Sequence, residues 1–145
     1  MASTETEQMD ILFTEAEKAA QMAYAPYSNF RVGAALLCHD ENGGFNIVAG
    51  CNVENRSYGL TVCAERNAVF AAVAQGKRQF AALALSTPDS AKSVGPCGAC
   101  RQVLSEFMPA DSPVRFAGRD GQQVNTTIGE LLPWDSLHDL NSSRA

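Results

Sequence analysis

The sequence lacks any apolar run long enough to cross a bilayer, which takes about 20 consecutive apolar residues. Basic residues are also scarce: eleven Lys and Arg stand against sixteen Asp and Glu, and the formal net charge is −5. The basic residues are scattered along the chain and form no stripe of the kind that contacts a phosphate backbone. We therefore expect neither a membrane protein nor a nucleic-acid-binding protein.

The start of the chain lacks the basic and then apolar segments of a signal peptide. Residues 1–8 are polar and acidic, which predicts a short flexible tail and a cytoplasmic location. Structural disulfides are rare in that compartment, and five cysteines, an odd number, do not make a simple disulfide framework. With 145 residues, of which 46% are apolar and 19% charged, the chain is predicted to form one globular domain, residues 1–145.

Hydrophobic patterns and turn residues predict alternating helices and strands. Because helices lie between the later strands, crossover connections and a mixed sheet covered by helices on its faces are expected. The predicted elements are a helix at 11–24, a hairpin of strands 30–38 and 45–53, a helix at 63–75, a strand at 80–86, a helix at 97–108, strands at 114–117 and 122–127, and a helical turn at 128–132. The predicted fold class is α/β.

Three of the five cysteines lie in two short motifs, Cys63-Ala64-Glu65 and Pro96-Cys97-Gly98-Ala99-Cys100, each at a predicted helix start. A catalytic zinc site has three protein ligands and one open position. Cys63, Cys97 and Cys100 supply three ligands, and a helix N-terminus favours thiolate over thiol. The motifs therefore predict a hydrolytic Zn²⁺ centre, with one ion bound in each chain.

Charged residues next to the cysteines suggest further roles. Glu65, two residues after a ligand, is the predicted general acid–base that moves a proton between water and substrate. Three thiolates outweigh the charge of Zn²⁺, so a hydrogen-bond donor to sulfur is expected, and Arg66 is the predicted donor. Arg101, which follows Cys100, is a second candidate or a purely structural charge.

Plainer interpretations remain open at this point. The three cysteines are also compatible with a structural zinc site or, for Cys97 and Cys100, with a redox pair without metal. Cys38 and Cys51 lie in the predicted hairpin and are expected to be small core residues. The two histidines, His39 and His138, are expected to be exposed residues without a metal role.

Four segments in order resemble the small, homotetrameric, zinc-dependent cytidine deaminases, and the resemblance covers residues 10–132. They are APYSNFRVGAA (25–35), NVEN (52–55) with Tyr58, TVCAER (61–66) and PCGACRQVL (96–104). The resemblance implies a three-layer α/β/α fold with a mixed five-stranded sheet. It implies hydrolysis of free cytidine or deoxycytidine to uridine or deoxyuridine and ammonia, in pyrimidine salvage.

The resemblance also implies roles for residues that spacing alone does not assign. Asn52 and Glu54 match the pair that hydrogen-bonds the ribose 3′-hydroxyl, and Phe30 matches a ring that lines the nucleoside pocket. Ala64 matches the residue whose backbone N–H contacts the pyrimidine carbonyl. Tyr58 matches a residue near the active site of an adjoining subunit, so homotetramers with active sites at subunit interfaces are expected.

The C-terminal segment, a variable tail over residues 134–145, departs from the pattern of the family. Where the family has a Phe three residues after Pro133, which stacks on the base in a neighbouring subunit, this chain has Ser136. Trp134 and Leu137 are the candidates to replace that ring. The alternative functions are a related deaminase of another substrate, such as an antibiotic nucleoside or a base within RNA or DNA, and a non-catalytic zinc-binding protein.

Overall fold

The computed structural model describes residues 4–137. A five-stranded sheet with strand order β2-β1-β3-β4-β5 lies at its centre. The elements are the helices α1 (Glu5–Ala20), α2 (Ala64–Ala74), α3 (Gly98–Phe107) and α4 (Ile128–Leu131), the strands β1 (Gly33–His39), β2 (Phe45–Cys51), β3 (Phe80–Thr87), β4 (Pro113–Gly118) and β5 (Gln123–Thr127), and a 3-10 turn at Tyr58–Leu60.

The sheet is mixed, as the order of elements predicts. Strand β1 pairs antiparallel with both β2 and β3, and β4 pairs antiparallel with β5. Strands β3 and β4 are parallel, because α3 carries the chain from the end of one strand back to the start of the next. The segment that precedes β1, the loop that follows β3 and the start of α3 therefore meet at one end of the sheet.

Helices cover both faces of the sheet and produce three layers. Met9, Leu12 and Ala16 of α1 pack on alternate residues of the central strands, among them Ala35 and Ala84. The opposite face packs against α2 and α3 through a larger apolar cluster that includes Leu36, Ala68, Val69, Leu83, Leu85 and Leu104. The predicted three-layer α/β/α fold with a mixed five-stranded sheet is confirmed.

The first helix differs from its prediction at both ends. It begins at Glu5, so the prediction of a flexible tail over residues 1–8 is wrong for residues 5–8. Thr4 Oγ1 accepts from the Glu7 N–H, and the Glu7 carboxylate accepts from the Thr4 N–H, which forms a capping box. The helix ends at Ala20, before the predicted Tyr24, because the Tyr24 N–H donates to the Asn52 carbonyl instead.

The hairpin strands are also shorter than predicted, because the chain changes partners near the site. Strand β2 ends at Cys51, and Val53 then forms bridges with Tyr24 and Val62. Gly50 lies in β2 under α2, where an added Cβ would stand 2.5 Å from the Ala68 nitrogen. This close approach fixes the helix on the sheet. Within residues 4–137, no helix combines the length and the apolar character that a bilayer span needs.

Candidate metal centre and active-site cleft

The candidate metal ligands lie at the N-termini of two neighbouring helices. Cys63 is the N-cap of α2 and Cys97 is the N-cap of α3, and neither side chain caps the backbone N–H groups of its helix. Cys100 lies one turn into α3 and is fully buried. The helix starts thus direct three sulfurs toward one point, with unpaired backbone N–H groups nearby.

The three sulfurs have the spacing that a tetrahedral zinc ion requires. All three Sγ atoms lie within 4.8 Å of one another, and Cys63 Sγ is 3.9 Å from Cys97 Sγ. Zn–S bonds of 2.3 Å at tetrahedral angles place sulfurs about 3.8 Å apart. Among the described residues, this is the one group of three or more potential ligands, and it leaves a fourth position open. The cluster predicted from the sequence is therefore assembled, and it fits Zn²⁺.

The cluster favours a thiolate at Cys63. Hydrogen bonds from Cys100, Arg66 and Cys97 lower the pKa of the Cys63 thiol to about 5, against the opposing effect of burial. The hydrogen bond to Cys63, burial and the charge of Glu65 raise the pKa of Cys100. Without a cation, therefore, a negative sulfur at Cys63 opposes ionisation of Cys100. A bound divalent cation removes that conflict.

The arginines next to the cysteines have different contacts. Arg66 Nη2 lies 3.4 Å from Cys63 Sγ, and its buried Nε has no protein partner. Arg101 instead donates to the carbonyls of Pro96 and Leu131, at 2.7 and 2.9 Å. Arg66 thus has the contact expected of a donor to ligand sulfur. Arg101 has the structural role, since it ties the turn before α3 to α4.

Glu65 is the second residue of α2, and only 4% of its surface is exposed. It lines the same cleft as Cys63 and Cys97. Burial raises the pKa of the Glu65 carboxyl, and the charge at Cys63 raises it further. A buried carboxyl of this kind exchanges protons more readily near neutral pH than an exposed one.

The cleft over the sulfurs has a volume of about 380 Å³, within the usual range for small-molecule sites. Its walls are mostly apolar, and its polar side chains include Asn52 and Glu54 in addition to Glu65 and the sulfurs. The apolar lining includes Phe30, Val32, Leu85 and Val94. Phe30, which the resemblance predicts to line the nucleoside pocket, is thus one of the residues of this cleft.

Asn52 and Glu54 face the cleft together, but most of their hydrogen-bonding capacity is used within the protein. Asn52 Oδ1 accepts from the Val32 N–H, and Nδ2 donates to the Phe30 carbonyl, both at 2.8 Å. Glu54 accepts from the backbone N–H groups of Tyr27 and Ser28 and from the Ser28 hydroxyl. A carboxylate has four lone-pair positions, so one remains at Glu54 for a ligand hydroxyl.

Other predicted residues lie at the edge of this site or outside it. Ala64 is the first residue of α2, where a backbone N–H has no acceptor within the helix. Tyr58 is 74% exposed and lines an adjoining hollow with Tyr27 rather than the cleft itself. Trp134 is 97% exposed and Leu137 is 52% exposed. His138 lies outside the described residues.

Sequence reasoning missed several residues of the site. Ser28 connects two of its parts, since its hydroxyl donates to Glu54 and accepts from the Phe30 N–H. Thr61 and Thr87 also line the cleft, and no role was predicted for either, although Thr61 is the first residue of the segment 61–66. A single sequence carries no signal for these contacts, because they join segments that are distant along the chain.

Comparison with known proteins now identifies the family. Residues 6–114 match the family model for the cytidine and deoxycytidylate deaminase zinc-binding region. The chain belongs to this family. A cytidine deaminase from Halalkalibacterium halodurans is 47% identical over 123 residues, which cover 85% of this chain and 89% of that protein. Within the family, the sulfur cluster occupies the zinc-binding region that gives the family model its description.

Solved structures of the family share the fold. The crystal structure of cytidine deaminase from Burkholderia pseudomallei matches with a TM-score of 0.80 and 43% identity, covering 91% of this chain and 98% of that one. A blasticidin-S deaminase from Bacillus cereus is 35% identical over 109 residues, 70% of this chain and 74% of that protein. The chain thus has relatives named for two different substrates.

Proposed function

We propose that this chain is a zinc-dependent hydrolase that deaminates free cytidine and deoxycytidine, giving uridine or deoxyuridine and ammonia. The observation that carries this proposal is the position of Glu65, buried beside three sulfurs that lie within 4.8 Å of one another at one cleft. A structural zinc site has no need of a buried acid at an open coordination position. The membership of the family supports the same function.

The residues divide the chemistry among them. Cys63, Cys97 and Cys100 would hold Zn²⁺, which when bound would act as a Lewis acid and lower the pKa of a bound water toward about 7. Glu65 would take one proton from the attacking water and give it to the pyrimidine ring nitrogen. It would then carry the second proton of that water to the departing amine, so that the oxygen stays on the ring as a carbonyl and ammonia leaves. The raised pKa of this buried carboxyl favours both transfers. The free N–H of Ala64 would donate to the pyrimidine carbonyl.

The charge of Glu54, which lines the cleft, supports a nucleoside as substrate in preference to a nucleotide. Hydrogen bonds from the Ser28 side chain and from two backbone N–H groups lower the pKa of the Glu54 carboxyl, which therefore stays ionised at neutral pH. None of the described residues that line the cleft is basic. A phosphate near Glu54 would be repelled, whereas a ribose hydroxyl can donate to its remaining lone pair.

A panel of substrates tests the proposed function directly. The purified, zinc-loaded protein should release ammonia from cytidine and deoxycytidine and much less from cytidine monophosphate or a cytosine-containing oligonucleotide. Absence of turnover with both nucleosides, in protein with a full zinc complement, would contradict the proposal.

The second candidate is deamination of an antibiotic nucleoside, and the relative from Bacillus cereus named blasticidin-S deaminase favours it. The same assay with blasticidin S discriminates between the two. A kcat/KM for the antibiotic above that for cytidine would assign the chain to the second function.

The Glu54→Gln variant should lose affinity for the ribose. Glutamine keeps the size of the side chain but replaces the oxygen nearest Ser28 with a nitrogen that accepts no hydrogen bond. A hydrogen bond to a charged group contributes about 1.5–3 kcal/mol, so we expect kcat/KM for cytidine to fall about 10- to 100-fold, mainly through KM. The matched measurement uses 3′-deoxycytidine, for which parent and variant should be similar. An equal loss with both substrates would remove this role from Glu54.

The Arg66→Gln variant should hold zinc less tightly. The substitution removes the cationic donor 3.4 Å from Cys63 Sγ, and loss of such a partner typically costs 10- to 100-fold in metal affinity. Competition with a chromophoric chelator measures the affinity. Arg78→Gln is the control, because Arg78 donates to the Val73 and Lys77 carbonyls at the other end of α2. Equal zinc affinity in the two variants would contradict the role of Arg66.

We further propose that the chain, a single domain over residues 1–145, forms homotetramers in the cytoplasm and serves pyrimidine salvage. Exposed apolar side chains support assembly, among them Tyr58 at 74%, Leu60 at 67% and Trp134 at 97%. Trp134 is the larger and more exposed of the two candidates to stack on a base across an interface. Five free cysteines agree with a reducing compartment. Sedimentation equilibrium measures the assembly.

A further inference from the structure

The two walls of the cleft come from segments that the sheet does not join. The first wall precedes β1 and contains Ser28, Phe30 and Val32, and the second follows β3 and contains Val94 and Gly95. Pairing between β1 and β3 runs only as far as Gly33 and Ser86. Beyond that point another interaction must set the distance between the walls.

Arg31 and Asp89 form that interaction. The guanidinium donates in a bidentate manner, with Nε 2.9 Å from Asp89 Oδ2 and Nη2 2.9 Å from Oδ1. The Arg31 backbone N–H donates to Asp89 Oδ2 as well, at 2.8 Å. Nη1 reaches Gln21 Oε1 at the end of α1. Three donors of one residue therefore hold a single carboxylate that lies 58 positions away in the chain.

The contacts around Arg31 show how this pair reaches the cleft. Neither Arg31 nor Asp89 lines the cleft, but Phe30 and Val32, the neighbours of Arg31, both do. Asn52 holds the backbone of these two neighbours, through the Phe30 carbonyl and the Val32 N–H. Residues 30–32 are thus fixed from two sides, by Asn52 and by Asp89.

We propose that Arg31 and Asp89 are positioning residues, which join the two walls of the cleft and so determine substrate affinity without touching the substrate. This inference rests on the proposed nucleoside deamination. The pair persists at neutral pH, because the side-chain hydrogen bonds of Arg31 lower the pKa of Asp89 to about 2. Bidentate arginine–carboxylate pairs also have a fixed geometry that a single contact lacks. Loss of the pair should therefore loosen the wall that carries Phe30.

Arg31→Gln and Asp89→Asn test the inference through a split between KM and kcat. We expect each variant to raise KM for cytidine about tenfold, while kcat stays within about twofold and zinc content is unchanged, since small displacements in a binding site carry costs of this size. The double variant should be no worse than the poorer single variant, because each substitution removes the same interaction. Arg31→Lys keeps the charge without the bidentate geometry, so its KM for cytidine should lie between the values of the parent and of Arg31→Gln.

Lys18→Gln is the matched control, because it breaks an ion pair of 2.9 Å with Glu15 on the exposed face of α1. It removes the same charge and should leave KM at the parent value. An unchanged KM in Arg31→Gln, effects of the two single variants that multiply, or a loss of kcat together with zinc would each overturn the inference.

Hydrogen exchange separates this inference from the proposed function, since it needs no substrate. Amides of residues 28–32 and 89–95 should exchange faster in Arg31→Gln and in Asp89→Asn than in the parent or in Lys18→Gln. If the parent protein fails to deaminate cytidine, the proposed function is wrong, and the exchange rates still decide whether the pair joins the walls. If amide exchange in both segments were unchanged in the variants, the positioning role of Arg31 and Asp89 would be contradicted, even if the enzyme is active.

Discussion

Replacing Glu65 with glutamine is expected to lower kcat for cytidine by about 10²- to 10⁴-fold, the usual contribution of a general acid–base. Glutamine has nearly the same shape, so the cleft and the sulfur cluster should remain intact. It cannot accept a proton from water or return one to the pyrimidine. Ammonia release and the loss of cytidine absorbance measure the rate, and elemental analysis of the same sample should find a full complement of zinc.

The direction in which Glu65→Gln changes Tm also tests the role of Glu65. Glu65 is 4% exposed, and burying a carboxyl costs free energy that an amide of the same size avoids in part. We therefore expect the Tm of Glu65→Gln to equal or exceed that of the parent, although its activity is lost. A residue retained because its charge stabilises the fold would show the opposite, a lower Tm with activity preserved.

Glu106→Gln is the matched control for Glu65→Gln. Glu106 is an exposed glutamate on α3, so the same chemical change there should alter neither kcat nor zinc content. If Glu65→Gln kept more than about a tenth of the parent kcat, Glu65 would not carry the proton transfers. Loss of zinc together with activity would instead assign Glu65 a role in holding the metal centre.

The sequence was sufficient to predict the metal centre because the relevant signals are local. Cys63 and Cys97 each lie at the start of a helix, and Cys100 follows one turn later, so short-range rules place all three. The two helix starts meet in space because α2 connects β2 to β3 and α3 connects β3 to β4, and these three strands run in the same direction, so both helices begin at the same end of the sheet. Composition and periodicity predicted this order of helices and strands, with errors of a few residues at the boundaries of the elements.

The errors of prediction came from two different causes. The start of α1 was missed although Thr4 and Glu7 form a recognisable capping box, because the polar composition of residues 1–8 outweighed that signal. The bond between Ser28 and Glu54 and the pair of Arg31 and Asp89 carry no local signal, since they join residues 26 and 58 positions apart. Chain folding alone brings such partners together.

Replacing Cys100 with alanine should have a second large effect, the loss of zinc and of activity together. Cys100 is fully buried in the first turn of α3, and its pKa is raised in the metal-free cluster by Cys63, burial and Glu65. Two remaining sulfurs leave the ion without its third protein ligand. Because Lewis-acid activation contributes several kcal/mol, we expect kcat to fall by at least about 10³-fold. Elemental analysis and a cytidine assay on one preparation measure both quantities.

Cys38→Ala separates loss of the ligand from loss of packing. Cys38 lies in β1 and is also 0% exposed, and burial raises the pKa of its thiol to about 11. Each variant thus removes one buried sulfur atom, but only the sulfur of Cys100 belongs to the cluster. Cys38→Ala should lower Tm and keep zinc and kcat. If the two variants lost zinc equally, the metal would depend on the integrity of the fold rather than on Cys100. A redox role for Cys97 and Cys100 predicts a third pattern, in which the reduced parent protein carries no zinc at all.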